Sequence, residues 1–558
     1  MNLHIRDFIK DKDNCSAAFV EAVLSLSDGD TLLLDEEEYH FYPEGAYEKE
    51  YYISNNDGGR KPIALPIINK RDITIKGVGS ELIFHGNMMP IVTENSESIT
   101  LKGFSIDYAT PFYAQAKIRS ADESGILIEF DGKEFNCKVR NGKFCFYSES
   151  ERWELNPEKA LSLEFDENGH PSASSPPYFA YMGEPKDHGF LSRLYQDITL
   201  EELGKNLILM RGSIGERHTV GNHLVMTYAG RKYPGILITD SKDVTLEDIN
   251  LYHTASMGII AQKSENITLK HITAEPRKGS GRLLSTNADA THFVSCRGRI
   301  SVTDCKFVQM MDDASNVHGI YHLYKEKRSD GSMRLGFGHP QHRGIQPYRI
   351  GDRVAVINSE TNETKAVGTV LSAHLASPDE IILNLDCDVP TPSSNWVTEN
   401  LSTAPEVSYS NCESGHNRPR GFLISTAGKA VVENCKFYNM SSAIQLSGEM
   451  RDWYESGCVK DVCIRGCDFN NSAYAGGVAI LCRPALRCTD TVFNKRIVIE
   501  NNLFTQANRR LCNIESCEEV IFRNNTFRSN PALSRFQMHG DDGTSFKNCL
   551  TVVKENNT

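Results

Sequence analysis

Apolar and polar residues alternate along this chain in one short frame: apolar, any, apolar, polar, then a polar residue or glycine, then a small or apolar residue. The frame appears as Ile73-Thr-Ile-Lys-Gly-Val, Ile99-Thr-Leu-Lys-Gly-Phe, Val244-Thr-Leu-Glu-Asp-Ile, Ile267-Thr-Leu-Lys-His-Ile and Ile300-Ser-Val-Thr-Asp-Cys. It continues as Ala430-Val-Val-Glu-Asn-Cys, Val462-Cys-Ile-Arg-Gly-Cys, Ile497-Val-Ile-Glu-Asn-Asn and Val520-Ile-Phe-Arg-Asn-Asn. A period of two makes each unit a strand with one buried face, and the Asn, Gly or Asp that follows marks a turn. The shortest steps between units are 23 residues, and several are 32 to 35. Short strands at that period predict an all-β chain, a right-handed parallel β-helix in which the longer steps are coils with a loop extruded at a corner. A leucine-rich repeat would share the period, but no Leu-x-x-Leu-x-Leu consensus is present.

Two steps are far longer, 145 and 130 residues. They predict two inserted antiparallel β modules, barrel-like, carrying alternating stretches such as Gly125-Ile-Leu-Ile-Glu-Phe, Gly351-Asp-Arg-Val-Ala-Val-Ile and Glu380-Ile-Ile-Leu-Asn-Leu. The expected organisation is an N-terminal cap and first coils over 1–109, an inserted module over 110–220, and coils over 221–320. A second inserted module over 321–410 and C-terminal coils over 411–558 complete it. Apolar residues from Ala18 to Leu26 suit a short helix capping the first coil, and Gly29-Asp-Thr-Leu-Leu-Leu opens a strand.

The sixth position of the frame reads Val78, Phe104, Ile249, Ile272, Cys305, Cys435, Cys467, Asn502, Asn525. Equivalent side chains of successive coils stack about one strand spacing apart, roughly 4.8 Å. Cys305, Cys435 and Cys467 are therefore expected to form an interior ladder of reduced thiols, and Asn502 and Asn525 an amide ladder. This reinterprets a total of 16 cysteines. Their spacing contains no paired metal motif, and a chain of 558 residues does not need disulfide staples.

Charge narrows the function. Sixty basic against 73 acidic residues leave a net charge of −13, which disfavours nucleic acid or an anionic polymer as the main partner. No apolar run reaches the roughly 18 residues of a membrane span. The start, Met1 to Ile9, is polar and mixed in charge, so no signal peptide is read there; the chain as it stands fits the cytoplasm, and a removed leader would place it in the periplasm or outside. A homodimer is compatible with all of this.

The densest polar cluster is Ser285-Thr-Asn-Ala-Asp-Ala-Thr-His-Phe followed by Met310-Met-Asp-Asp-Ala-Ser-Asn-Val-His-Gly. Asp289 and Asp312 are 23 residues apart, one coil, and are expected to stack with Asp313 beside them. Counted from the frame, Ser256, Ser442, Tyr474 and Arg509 fall in the same column, the kind of polar face that lines a carbohydrate groove. Stacked carboxylates repel, so at least one has a raised pKa, which keeps a general acid protonated. A paired acid and base is the minimum equipment for glycoside hydrolysis. Single Asp residues at β-helix turns commonly just bond backbone amides; three in register, with Asn287, His292, Asn316 and His318 around them, point to chemistry.

On these residues the chain resembles glycoside hydrolase family 110, the α-1,3-galactosidases that release terminal galactose from blood-group-B-type and related glycans. The motifs that carry the resemblance are Gly29-Asp-Thr-Leu-Leu-Leu, Ile99-Thr-Leu-Lys-Gly-Phe-Ser-Ile-Asp-Tyr, Asn287-Ala-Asp-Ala-Thr-His-Phe and Met311-Asp-Asp-Ala-Ser-Asn-Val-His-Gly, the last two being the most diagnostic. The resemblance spans nearly the whole chain. It implies an inverting, exo-acting hydrolysis without metal or other cofactor, carried by Asp289, Asp312 and Asp313. Asp289 would be one partner and the Asp312/Asp313 pair the other, with Asn287, His292, Asn316 and His318 binding the sugar. Partners would be terminal α-galactosyl oligosaccharides and glycoconjugates.

Two rival readings share the fold. Polygalacturonases of glycoside hydrolase family 28 carry a similar Asn-x-Asp and Asp-Asp set, but here Asn316-Val-His-Gly stands where they have Gly-His-Gly, and no Arg-Ile-Lys element follows for a uronate. A non-catalytic β-helix glycan-binding protein would bind sugar without needing the aspartates as acid and base. Weaker signals are Trp453, placed to stack on a sugar or to pack its loop, His339-Pro-Gln-His342 with a metal-like spacing, and Arg509 and Arg510.

Overall fold

The computed structural model describes residues 1–148, 152–155, 160–172, 178–179, 198–212, 218–228, 230–392, 395–475, 477–484, 492–507, 509–533 and 543–558. Its backbone is a parallel β-helix built from three columns of strands. The repeat frame forms the first column: Val244 pairs with Ile99 on one side and Ile267 on the other, and Ala430 lies between Val407 and Val462. A second column follows each corner, as in Lys306–Val308, Glu413–Gly415, Lys436–Tyr438 and Asp468–Asn470. The third contains Ile259–Gln262, Thr291–Val294, Ser315–Ile320, Phe422–Ile424 and Ile444–Gln445.

The corner between the first two columns explains the fifth position of the frame. Gly103, Asp248, His271, Asp304, Asn434, Gly466, Asn501 and Asn524 all adopt φ between +52° and +77°. That left-handed region costs a residue with a Cβ, and Asn and Asp tolerate it best after Gly. The alternating side chains then fill the interior. Tyr409, Phe422, Phe437, Phe469 and Phe504 form a continuous run of ring contacts, edge-to-face between Phe422 and Phe437 and stacked elsewhere, with Phe437–Phe469 ring centroids 5.2 Å apart and Phe469–Phe504 4.6 Å apart.

The sixth-position column differs from expectation in two places. In the first unit the register shifts between Lys76 and Ser80, so that Ser80 lies opposite Phe104 and Val78 is 57% exposed. Gly77 makes this possible, because a Cβ there would stand 2.4 Å from the Gly103 carbonyl oxygen. Further along, the buried thiol ladder gains a member. Cys412 lies in register between Cys305 and Cys435, and its amide donates to Cys435 Sγ at 3.4 Å. The described cysteines are all free thiols. Beyond Cys467 the column continues as Asn502 and Asn525, whose side chains bond one another at 3.0 Å.

Both insertions are antiparallel. The first comprises a seven-stranded sheet running from Tyr113–Asp122 to His223–Tyr228, and a three-stranded sheet, Asn136–Arg140, Lys143–Tyr147 and Arg152–Leu155. Much of 173–197 lies outside the described residues. The second is a closed six-stranded barrel between His322–Lys327 and Trp396–Asn400. In each, the first and last strands pair directly: Tyr113 opposite Thr227, and His322 opposite Thr398. The helix Ser16–Ser25 sits at the start, its Phe19 packed edge-on against Tyr39 and Phe41 of the first coil. Among the described residues no helix is long and apolar enough to cross a membrane.

Candidate active site

The strands of the third column set the positions of the aspartates. Ile259 pairs with Thr291, Thr291 with Ser315, Ser315 with Phe422, and Phe422 with Ile444. Two residues earlier, at the corner, this register lines up Met257, Asp289, Asp313, Arg420 and Ser442. Asp289 therefore stacks on Asp313 rather than on Asp312, because this coil is 24 residues long instead of 23. Of the residues expected in the column, Ser442 belongs to it, while Ser256 falls one position earlier, level with Asp312. Tyr474 donates its hydroxyl to the Pro171 carbonyl at 3.2 Å, and Arg509 lies over Phe527.

The next residue in each coil is small: Gly258, Ala290, Ala314, Gly421, Ala443. A Cβ on Gly258 would stand 2.5 Å from the Ala290 carbonyl oxygen, and one on Gly421 2.2 Å from that of Ala443. This close approach of backbones holds the corner rigid and so fixes the carboxylates before it.

Asp289, Asp312 and Asp313 are all buried and bring oxygens within 4.8 Å of one another. Three arginines meet them. Arg231, from the loop returning out of the first insertion, forms an ion pair with Asp312. Arg418 adds a contact to Asp312 at 3.6 Å. Arg420 grips Asp313 with both Nε, at 2.9 Å, and an Nη, at 2.7 Å. The fourth carboxyl is Glu455, in the loop whose short strand pairs with Gly319 and Ile320. It accepts from Asn55 at 2.9 Å, contacts Asn316 Nδ2 at 3.4 Å, and lies 3.5 Å from His318 Nε2.

Of the three guanidiniums two face Asp312 and one faces Asp313, which leaves Asp289 and Glu455 without one of their own; Glu455 instead accepts from Asn55 and Asn316. Burial and the Asp312 charge push Asp289 well above the ordinary carboxylate range, with Arg231 opposing them. Burial would raise Asp312 too, but Arg231, Arg418 and Arg420 outweigh it and hold that carboxyl below its usual value. Burial also pushes Asp313 up, with the bidentate Arg420 pulling the other way. Environment alone thus shifts Asp289 and Asp312 in opposite directions, an arrangement able to supply an acid and a base.

His292, Asn316 and His318 lie beside this cluster, all buried. His292 Nδ1 is 2.5 Å from Asp289 Oδ2, and its Nε2 is 2.9 Å from His318 Nε2. Asn287 donates to the Phe112 carbonyl at 2.9 Å, tying the corner to the first insertion. His292, His318 and Glu455 bring three possible ligand atoms together. Two nitrogens on one tetrahedral zinc ion would stand about 3.3 Å apart given bonds of about 2.0–2.1 Å, so at 2.9 Å the imidazoles fit a direct hydrogen bond better. His342 is likewise engaged, with Nε2 3.0 Å from Asn55 Oδ1, and His339 packs on Trp453 in a tilted arrangement with ring centroids 4.2 Å apart. Trp453 also faces the Arg231 guanidinium at 5.3 Å, which brings this side chain to the rim of the carboxylate cluster.

Sequence reasoning found the aspartates and histidines but missed Arg231, Arg418, Arg420 and Glu455. The missing coil at Val407-Ser-Tyr-Ser-Asn-Cys412, which fits the frame, would have pointed to Arg420 one coil beyond Asp313.

Two family models match the chain: "Right handed beta helix region" over residues 399–551, and "GLAA-B beta-barrel domain II" over 332–394. Among curated relatives, an α-1,3-galactosidase A of Shewanella woodyi is 31% identical over 510 residues, covering 89% of this chain and 80% of the relative. An α-1,3-galactosidase B of Parabacteroides distasonis is 32% identical, with 89% and 82% covered. One from Bacteroides thetaiotaomicron is 29% identical, with 95% and 85% covered.

Proposed function

Since the chain belongs to the α-1,3-galactosidases of glycoside hydrolase family 110, we propose that it is an exo-acting hydrolase that removes terminal α-1,3-linked galactose with inversion. The observation that carries this reading is the pairing of a buried Asp289 that no guanidinium contacts with an Asp312 held by Arg231 and Arg418. Asp289 gives a proton to the glycosidic oxygen. Asp312, whose side chain is the most exposed of the three at 12% against 4% and 1%, takes a proton from water on the opposite face of the galactose ring. Asp313, sequestered under Arg420, orients that water. Asn287, Asn316 and the rim Trp453 are the sugar-facing candidates; His292 and His318 are not among them, because both nitrogens of each ring are engaged within the protein. A uronate substrate fits less well, because Arg231, Arg418 and Arg420 each already face a carboxylate of the chain.

Incubation with galactose-α-1,3-galactose and with the fucosylated B trisaccharide tests the reading. Free galactose is expected from at least one, and release from neither by folded protein would sink it. Cleavage of the trisaccharide alone would mark a site that requires the fucose branch. Proton NMR of the first product distinguishes the stereochemistry: inversion delivers β-galactose. The nearest carboxyl oxygens stand within 4.8 Å, closer than the roughly 6.5–9.5 Å of inverting pairs, so inversion rests on the family and this measurement decides it: an initial α-anomer would make an aspartate a nucleophile instead.

Arg231→Met tests the base. Without the guanidinium the Asp312 pKa rises, so the carboxylate is lost at a higher pH as the medium is acidified. The acidic limb of kcat/KM should move up by roughly one to three pH units, the size of an ion-pair effect on a carboxylate. An unmoved limb would remove Asp312 from the role of base.

A further inference from the structure

The acid and the base do not use the buried histidines behind them, yet their geometry is specific. His318 Nδ1 lies 2.6 Å from the Gly319 carbonyl oxygen, which can only accept, so that nitrogen carries a hydrogen. If each imidazole holds one hydrogen, His318 Nε2 accepts, His292 Nε2 donates across 2.9 Å, and His292 Nδ1 is an acceptor. Its partner at 2.5 Å must then be the O–H of a protonated Asp289. The same heavy atoms accommodate a second arrangement with the same number of protons. In it Asp289 is a carboxylate, His292 carries its hydrogen on Nδ1, and His318 is an imidazolium 3.5 Å from Glu455 Oε1.

We propose that His292, His318 and Glu455 form a proton relay that recharges Asp289 from the side away from the substrate. The proposal rests on the hydrolase reading above. Before the reaction His318 is an imidazolium held by the Glu455 carboxylate, and Asp289 carries its proton on Oδ1. After Asp289 has given that proton to the leaving oxygen, one proton passes from His292 Nδ1 to Asp289 Oδ2 and another from His318 Nε2 to His292 Nε2. His318 becomes neutral. The proton that the base took from water leaves through the more exposed Asp312. One solvent proton taken up at Asp289 Oδ1 drives both transfers back, from Asp289 Oδ2 to His292 Nδ1 and from His292 Nε2 to His318 Nε2, which restores the imidazolium. No bond other than N–H and O–H changes.

The surroundings favour this direction of transfer. Burial lowers both imidazoles, His292 to about 4, and the Glu455 charge opposes it at each, so the His318 imidazolium is held only against that carboxylate and its proton passes readily towards the raised Asp289 carboxyl. The charged and titratable groups facing the two rings are Asp289, Asp312, Asp313, Glu455, Arg231 and His342. His342 must donate from Nε2 to Asn55 Oδ1, which also accepts from Ser54, and so presents no proton from that nitrogen to the relay. Asn55 in turn donates to Glu455 and keeps it oriented.

The test compares the wild type with His318→Gln and Glu455→Gln on two substrates: galactose-α-1,3-galactose, whose leaving oxygen needs a proton, and 2,4-dinitrophenyl α-galactoside, whose leaving group does not. His318→Gln should lower kcat on the disaccharide by about thirtyfold or more, within the range of general acid catalysis, and leave kcat on the aryl galactoside within about threefold. Glu455→Gln should show the same split with a smaller loss. The wild-type solvent deuterium effect on the disaccharide should require more than one proton in a proton inventory, and His318→Gln should reduce it to one. A purely structural role would lower both substrates alike, and that result, or no loss on the disaccharide, would overturn the relay. If His318→Gln does not fold, as judged by its urea midpoint, Glu455→Gln decides by the same comparison. A wild type inactive on both substrates would instead defeat the hydrolase reading.

Discussion

Asp289→Asn is expected to lose between about a hundredfold and ten-thousandfold in kcat on galactose-α-1,3-galactose, the span supplied by a general acid and equivalent to roughly 3–5 kcal/mol of barrier. Asn keeps the shape of the side chain and can still meet His292, so the loss reports the proton and not the packing. The pH dependence adds a second readout. Asp289 is pushed up by burial and by Asp312, and the protonated form is the active one, so wild-type kcat/KM should fall as pH rises through this raised value. On a dinitrophenyl galactoside, which needs no acid, Asp289→Asn should retain far more activity and lose the alkaline limb. Full activity of the variant on the disaccharide would exclude Asp289 as the acid.

The second large effect is on stability. Phe469→Ala should cost about 3–5 kcal/mol, the usual range for emptying a buried aromatic site, measured as the shift of the denaturation midpoint multiplied by the m-value. Phe469 is fully buried, with Phe437 stacked on one face at 12° and Phe504 on the other at 8°. Its removal leaves a cavity between two coils that the corners hold at a fixed spacing, so little collapse can refill it. Phe527, half-buried in the coil beyond Phe504, serves as the control and should cost far less. A change below about 1 kcal/mol for Phe469→Ala would mean that the stack adds little beyond the backbone ladder.

The coils were legible because the frame states their physics directly. Alternation selects the inward face, and Asn, Asp or Gly at the fifth position marks a corner that must be left-handed. The aspartates were legible because they sit one coil apart inside that frame. What could not be read is what arrives from elsewhere. Arg231 reaches Asp312 across 81 residues, Arg420 reaches Asp313 across 107, and Glu455 reaches Asn316 across 139. Such contacts depend on how loops leave and re-enter the coil, and no short period records that. The stacking partner of Asp289 was misjudged for a smaller reason, a coil longer by one residue. Val78 was placed in the interior for a related one, since the Gly77-Val78-Gly79 bulge breaks the count before the corner.

The pairing of first and last strands within each insertion bears on how the chain tolerates them. Joining two coils across a 145-residue excursion instead of a 23-residue one raises the entropy of loop closure only logarithmically, by about 1.6 kcal/mol. Even that is an upper value, because Tyr113 pairing with Thr227 and His322 pairing with Thr398 bring the two ends of each module side by side. Each module is a stem closed at its base, and the coil on either side sees little more than an ordinary short turn.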